Sequence, residues 1–205
     1  MKTCSAISLS GGQGKTTTIF FTALLLAQQG SKVLAVDADP QANLTFYLNH
    51  DVQPDEPSLF EVLTREVKIE DGIYETQYEN LFVIPADTGL FKVADRLSSS
   101  GAGAFALKRC LKDVADLFDY VLVDVQPSRS QVSLTAAGAS NYVLVPVEAN
   151  VKGVNSLVET LAFLDEQADI EAFSGQVLGI VPFRDRCVCN TQTLESRENI
   201  ASMNE

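Results

Sequence analysis

Positive charge is scarce in this sequence. Fifteen lysines and arginines stand against 27 aspartates and glutamates, a formal net charge of −12, and the sequence pI is near 4.5. That balance excludes a chain that wraps nucleic acid by bulk charge, and it sets an anionic membrane surface aside as the default partner. A local basic patch would survive the average. Histidine is nearly absent, His50 being the only one. The four cysteines, Cys4, Cys110, Cys187 and Cys189, are scattered, and the lone Cys187-x-Cys189 has no second ligand pair. A zinc site is therefore not read here, and the thiols read as buried or incidental. No apolar run approaches the roughly 18 residues of a membrane span. The opening "MKTCSAISLSGG" runs into a glycine-rich loop where a signal peptide would need a cleavage site. What remains is a cytoplasmic-looking chain of 205 residues, 46% apolar and 20% charged, which suits one globular domain with a sizeable core.

Short continuous apolar strands alternate with amphipathic helices. Strands are expected at residues 2–9, 32–36, within "NLFVIPA", "DYVLVDV", "NYVLVPV" and "GQVLGIVPF". Helices are expected at 16–30, 59–65, 87–97, up to Leu117, after Gln131 and at 154–166, with "SSSGAGA" a flexible connector. This order predicts an α/β fold of three layers, a mostly parallel twisted sheet with helices on both faces. In such a sheet ligands bind beyond the carboxyl ends of the strands. The loops at 10–16, 37–46, 125–131, 148–153 and 183–190 should then share one rim.

The chemistry sits in those loops. "SLSGGQGKTTT" misses the general phosphate loop G-x-x-x-x-G-K-[ST], whose first glycine would fall at Leu9. Gly11, Gly12, Gln13, Gly14, Lys15 and Thr16 fit the compact K-G-G-x-G-K-[ST] version except for its leading lysine, where Ser10 stands. Lys15 would supply positive charge to a nucleotide, the backbone of Gly11 to Lys15 N–H donors, and the Thr16 hydroxyl a magnesium ligand. Thr17 is placed for the α-phosphate. Asp37 and Asp39 follow the second strand in "VDADPQANLT", where a carboxylate can hold metal-bound water or orient the attacking water. An Asx-turn before Pro40 is the structural alternative. Asp124 ends an apolar strand in Walker B form, a natural magnesium partner.

The deviant loop, "DADPQANLT", "FDYVLVDVQPS" and "NYVLVPVEANVKGVNSL", in this order, resemble the ParA/MinD family of deviant Walker ATPases over nearly the whole chain, the ParA-like branch more than MinD. The resemblance implies ATP and Mg2+ as cofactors and a homodimer with two sandwiched nucleotides. It implies Lys15 as phosphate lysine, Thr16 as metal ligand, Asp39 as the residue positioning water, and Asp37 and Asp124 around the magnesium. It also implies the three-layer P-loop NTPase fold, and that this chain lacks a further carboxyl-terminal strand and helix.

The absent leading lysine is that family's signature residue, which crosses the dimer to the partner's phosphates. Ser10 has neither the charge nor the length. Among the rim cations Arg129, Lys152, Arg184 and Arg186, Lys152 is expected to replace it as a catalytic contact, with Gly153 giving backbone freedom and Arg129 as runner-up. Serine in this slot resembles the carboxysome-distribution branch of the family. That branch implies non-specific binding to nucleoid DNA and an adaptor protein of McdB type that stimulates hydrolysis. A MinD-like membrane switch and a metabolic enzyme acting on a small molecule are the competing readings.

Overall fold

The computed structural model describes residues 1–97, 103–189 and 191–203. The chain runs β1 (Lys2–Ala6), α1 (Lys15–Gln28), β2 (Val33–Ala38), α2 (Asn43–Tyr47), α3 (Leu59–Thr64), β3 (Tyr74–Glu75) and β4 (Leu81–Ile84). It continues through α4 (Val93–Leu97), α5 (Ala106–Leu111), β5 (Tyr120–Val125), α6 (Gln131–Ala139), β6 (Tyr142–Glu148), α7 (Val151–Asp169) and β7 (Gln176–Phe183). A hairpin of β8 (Cys187–Val188) and β9 (Thr191–Gln192) and then α8 (Leu194–Ser202) follow.

The large sheet has the order β3-β4-β2-β5-β1-β6-β7 and is parallel except for the β3–β4 pair. Alternation along each strand sends side chains to two separate cores. Val33 and Ala35 of β2 join Ile19, Ala23 and Ala27 of α1 on one face. Leu34 and Val36 join the face covered by α3 to α7. Burial on both faces is why these strands read as unbroken apolar runs.

Several expected boundaries move for local reasons. The helix expected at 87–97 begins as a 3-10 turn, Thr88–Lys92, because the Asp87 carboxylate accepts from Gly89 N at 2.8 Å, and only Val93–Leu97 is α-helical. The helix expected up to Leu117 ends at Leu111 and gives way to a 3-10 turn, Lys112–Val114. The expected connector at 98–104 falls mostly outside the described residues. The two-residue edge strand β3 carried no readable pattern.

The most consequential shift is at α7, which starts at Val151 and not at Val154. Asn150 caps it, accepting from Gly153 N at 2.9 Å. Lys152 thus sits in a first helical turn. Gly153 supplies close approach and not freedom: a Cβ there would lie 1.9 Å from the Glu148 carbonyl oxygen. Gly153→Ala is expected to cost about 1–3 kcal/mol of stability by overpacking. Urea unfolding monitored by circular dichroism reads it, and an unchanged midpoint would contradict this packing.

Candidate active site

The carboxyl ends of β1, β2, β5 and β7 open on one cavity of about 520 Å³. Residues 11–17 form its floor, with Asp39 and Gln41 on one wall, Gln126 and Ser128 on another, and Phe183 and Arg184 closing it. The loop can turn there because Gly12 and Gly14 have φ of +81° and +91°, a region costly for other residues. Gly14 is also pressed against the Phe183 ring, which a Cβ would meet at 2.6 Å. Its left-handed conformation caps α1, aiming that helix's amino end into the cavity.

Four of the five expected rim loops line this cavity. The fifth reaches it through Lys152, whose Nζ lies 3.5 Å from the Gly11 carbonyl oxygen. Arg129 is committed elsewhere: it pairs with Glu166 at 2.6 Å and stacks over Phe163. Arg184 stacks on Phe183 and pairs with Glu148 at 3.4 Å. Arg186 has its backbone N–H on the Ser196 hydroxyl and is not among the cavity residues.

Under the loop, charge is concentrated away from water. Lys15 is buried, donates from Nζ to the Ser10 carbonyl oxygen at 3.2 Å, and has its pKa lowered by burial against the opposing charges of Asp124 and Asp39. Asp37 and Asp124 are direct neighbours in the β2–β5 register, both fully buried. Their environments differ. Asp37 accepts from Thr45 N and Thr45 Oγ1 at 2.8 and 2.7 Å through one oxygen, and from Asp39 N at 3.2 Å through the other. Burial raises its pKa to about 6 despite these donors. Asp124 has no well-formed hydrogen bond on either oxygen, only the Thr16 hydroxyl close by. Burial first, and then the Asp37 charge, raise it to about 8, while the Thr16 hydroxyl and Lys15 offset part of that.

Most of the unpartnered buried polar atoms among the described residues belong here: both Asp124 oxygens, Gln13 Nε2 and Ser128 Oγ. Native interiors rarely leave such groups alone, so a cluster of them marks a place prepared for a ligand. Asp39 makes the turn that was its structural alternative and also faces the cavity. Its Oδ1 accepts from Gln41 N at 2.9 Å, an Asx-turn, and the same residue lines the cavity.

Sequence reasoning named Gln13 in the loop but not the part its side chain plays: it is fully buried, and its Oε1 accepts from Glu148 N at 2.7 Å and ties the loop to β6. Thr45, Phe183, Tyr47 and Phe91 were missed. Gln126 and Ser128 were visible only as letters inside "DVQPS".

A family model described as an AAA domain matches residues 1–172. The chain is 46% identical over all 205 residues to the maintenance of carboxysome distribution protein A of Gloeothece citriformis, covering 79% of that protein. It is 32% identical over 156 residues to the chromosome partitioning protein ParA of Caulobacter vibrioides, 74% of this chain and 58% of that one. The chain belongs to the ParA/MinD family of ATPases. As a ParA/MinD-family member it is an ATPase and binds ATP. Its structure matches an ATP complex of an aspartate-to-alanine variant of Cyanothece McdA with a TM-score of 0.97 and 46% identity, over 100% of this chain and 78% of that one. It also matches cobyrinic acid a,c-diamide synthase from Mycobacterium smegmatis with bound ATP analog and magnesium, TM-score 0.92 and 28% identity, over 100% of this chain and 82% of that one.

The buried acids predict a pH dependence. A carboxyl whose folded pKa of about 8 exceeds the unfolded value near 3.8 holds its proton more tightly when folded, so stability falls as pH rises between those values. Asp124→Asn removes that penalty. Without ligand the variant should be more stable than the parent by about 2–4 kcal/mol at pH 8.5, with the gap closing toward pH 4. It should also lose ATP turnover. Thermal unfolding across pH reads the first part, and equal stabilities at pH 8.5 would refute it.

Proposed function

We propose that this chain is a positioning ATPase that dimerises around ATP, binds nucleoid DNA non-specifically and is released when an adaptor stimulates hydrolysis. Its cargo is the carboxysome, its adaptor is of McdB type, and it works in the cytoplasm on the nucleoid. The observation that carries this reading is Lys152. It stands over Gly11, on the loop where Ser10 replaces the signature lysine, so a cation is supplied at the loop from a different element. Full-length similarity to proteins of carboxysome distribution supplies the cargo and the partner class.

In this reading the residues divide the work as follows. The N–H groups of Gly11 to Lys15 and the amino end of α1 hold the phosphates, Lys15 neutralises their charge, and Thr17 contacts the α-phosphate. The donor set fits Mg2+: the unpartnered Asp124 carboxylate beside the Thr16 hydroxyl is a hard oxygen pair. When bound, Mg2+ supplies electrostatic stabilisation of charge on the phosphate oxygens. Asp37, expected among the metal ligands, has both oxygens engaged by Thr45 and Asp39. Its part is to fix those residues from beside the metal set. Asp39 is held by Gln41 through Oδ1, and among the described residues Oδ2 has no protein donor, which suits it to orient the attacking water. Lys152 completes the partner's phosphate site across the dimer.

A small-molecule enzyme is the second reading. It is favoured by the cavity wall beyond Lys15, where Tyr47 and Phe91 are 46% and 64% exposed. Turnover that requires a metabolite and no protein would select it.

The deciding experiment measures mass by light scattering and retention on arbitrary DNA with ADP, with ATP, and with ATP plus Asp39→Ala. A dimer and salt-sensitive DNA retention only with ATP, prolonged in Asp39→Ala, are expected. Lys152→Ala should bind ATP yet stay monomeric. A parent chain that remains monomeric with ATP, or a Lys152→Ala chain that dimerises normally, would overturn the corresponding part.

A further inference from the structure

On the sheet face covered by α3, α4 and α5, a second cavity of about 380 Å³ shares no lining residue with the first. Three arginines from three separate helical segments meet at it: Arg65 closing α3, Arg96 in α4 and Arg109 in α5. Leu63 and Leu97 give it an apolar wall, and Glu66 is its one carboxylate. The lining therefore carries two net positive charges in a chain of net charge −12.

In a chain with nearly two acids for every base, an arginine meets carboxylates easily. Yet none of the ion pairs among the described residues involves Arg65 or Arg109, and the one side-chain partner of Arg65 is the neutral thiol of Cys110. The backbone also spends conformational freedom here. Arg65 takes a left-handed conformation, φ 61°, which ends α3 at the cavity edge where glycine would be the easy choice. Guanidinium groups present planar forks of donors that match the paired oxygens of a phosphate or carboxylate. A volume of a few hundred cubic ångströms with one apolar wall suits a small molecule better than a duplex backbone.

We infer that this arginine cavity binds a small oxyanion of two or more charges, a phosphate ester or a dicarboxylate, independently of the nucleotide. Phosphate and carboxylate share the recognition chemistry and are separated by experiment. The adjoining turn, Thr88–Lys92, leads directly into α4 and carries Phe91 to the nucleotide cavity, so the two sites are joined by one short segment.

The test is calorimetric titration of the full chain, saturated with ADP to block the phosphate loop, with inorganic pyrophosphate, with succinate and with a short DNA duplex. One-to-one binding of pyrophosphate or succinate is expected, weakened at least tenfold in Arg65→Gln/Arg109→Gln and unchanged in Arg129→Gln. Which anion binds tells phosphate from carboxylate recognition. Undiminished ADP affinity shows that the double variant is folded. Should it not fold, Arg109→Lys, which keeps the charge and loses the fork, is expected to bind at least threefold more weakly, and unchanged binding would refute the site. Failure of both anions to saturate, binding retained in the double variant, or binding of the duplex alone through these arginines would each overturn it.

Discussion

One ammonium and two carboxylates held side by side where water scarcely reaches govern the rim of this sheet. Lys15, Asp37 and Asp124 are all buried, and the strand register leaves the two acids adjacent. Desolvation disfavours each charge, and the neighbouring acid disfavours the second carboxylate further. The protein meets this differently at the two acids. Asp37 is surrounded by donors that also lock Thr45 and, through the Thr45 hydroxyl, the Ala86 N–H at 3.0 Å. Asp124 has no well-formed hydrogen bond, only the Thr16 hydroxyl and the Lys15 charge nearby. A structure selected only for stability would have no reason to keep it so, and the Mg2+ proposed above is a charge that would meet this demand.

Rigidity of the loop follows from a second set of contacts, all converging on α7 and β6. Ser8 shares a 3.1 Å hydrogen bond with Ser156, Leu9 N donates to Thr160 Oγ1, and Gln13 reaches Glu148 N. These bonds enter and leave the glycine turn on either side of Ser10. The helix that presents Lys152 is therefore the same helix that anchors the loop below it. Ser10 places no long cation inside the turn, and the attachment of α7 to the loop is what the proposed role of Lys152 relies on. Close approach at Gly153 is part of the same arrangement, because it brings the first turn of α7 against the end of β6.

The sheet and the phosphate loop were legible because their signals are local and redundant. Apolar runs fix buried parallel strands, and Gly-x-Gly-Lys-Thr between a strand and a helix has few other uses. The pairing of Asp37 with Asp124 was not legible, since strand order and register are long-range properties. Thr45, an unremarked residue in "QANLT", became Asp37's main partner only through the fold. Phe183 escaped for a similar reason: nothing in "IVPFRD" says that its ring will lie under a glycine 169 positions earlier in the chain, as the spacing of Gly14 and Phe183 requires. At position 150 the signal was present and misweighed. Asn150 is a ready cap three residues before Gly153, and reading the glycine as freedom moved the helix start too far along.

Charge completes the account. Averaged over 205 residues the surface repels nucleic acid, so an acidic chain can engage anions only where it gathers its few cations into defined places. Two such places exist among the described residues. At the first, Lys15 and Lys152 both reach the glycine turn, one donating to the Ser10 carbonyl and the other close to that of Gly11. At the second, three arginines meet across α3 to α5. The scarcity that excludes a diffuse polyanion glove thus favours compact sites, in which geometry and desolvation do what total charge cannot.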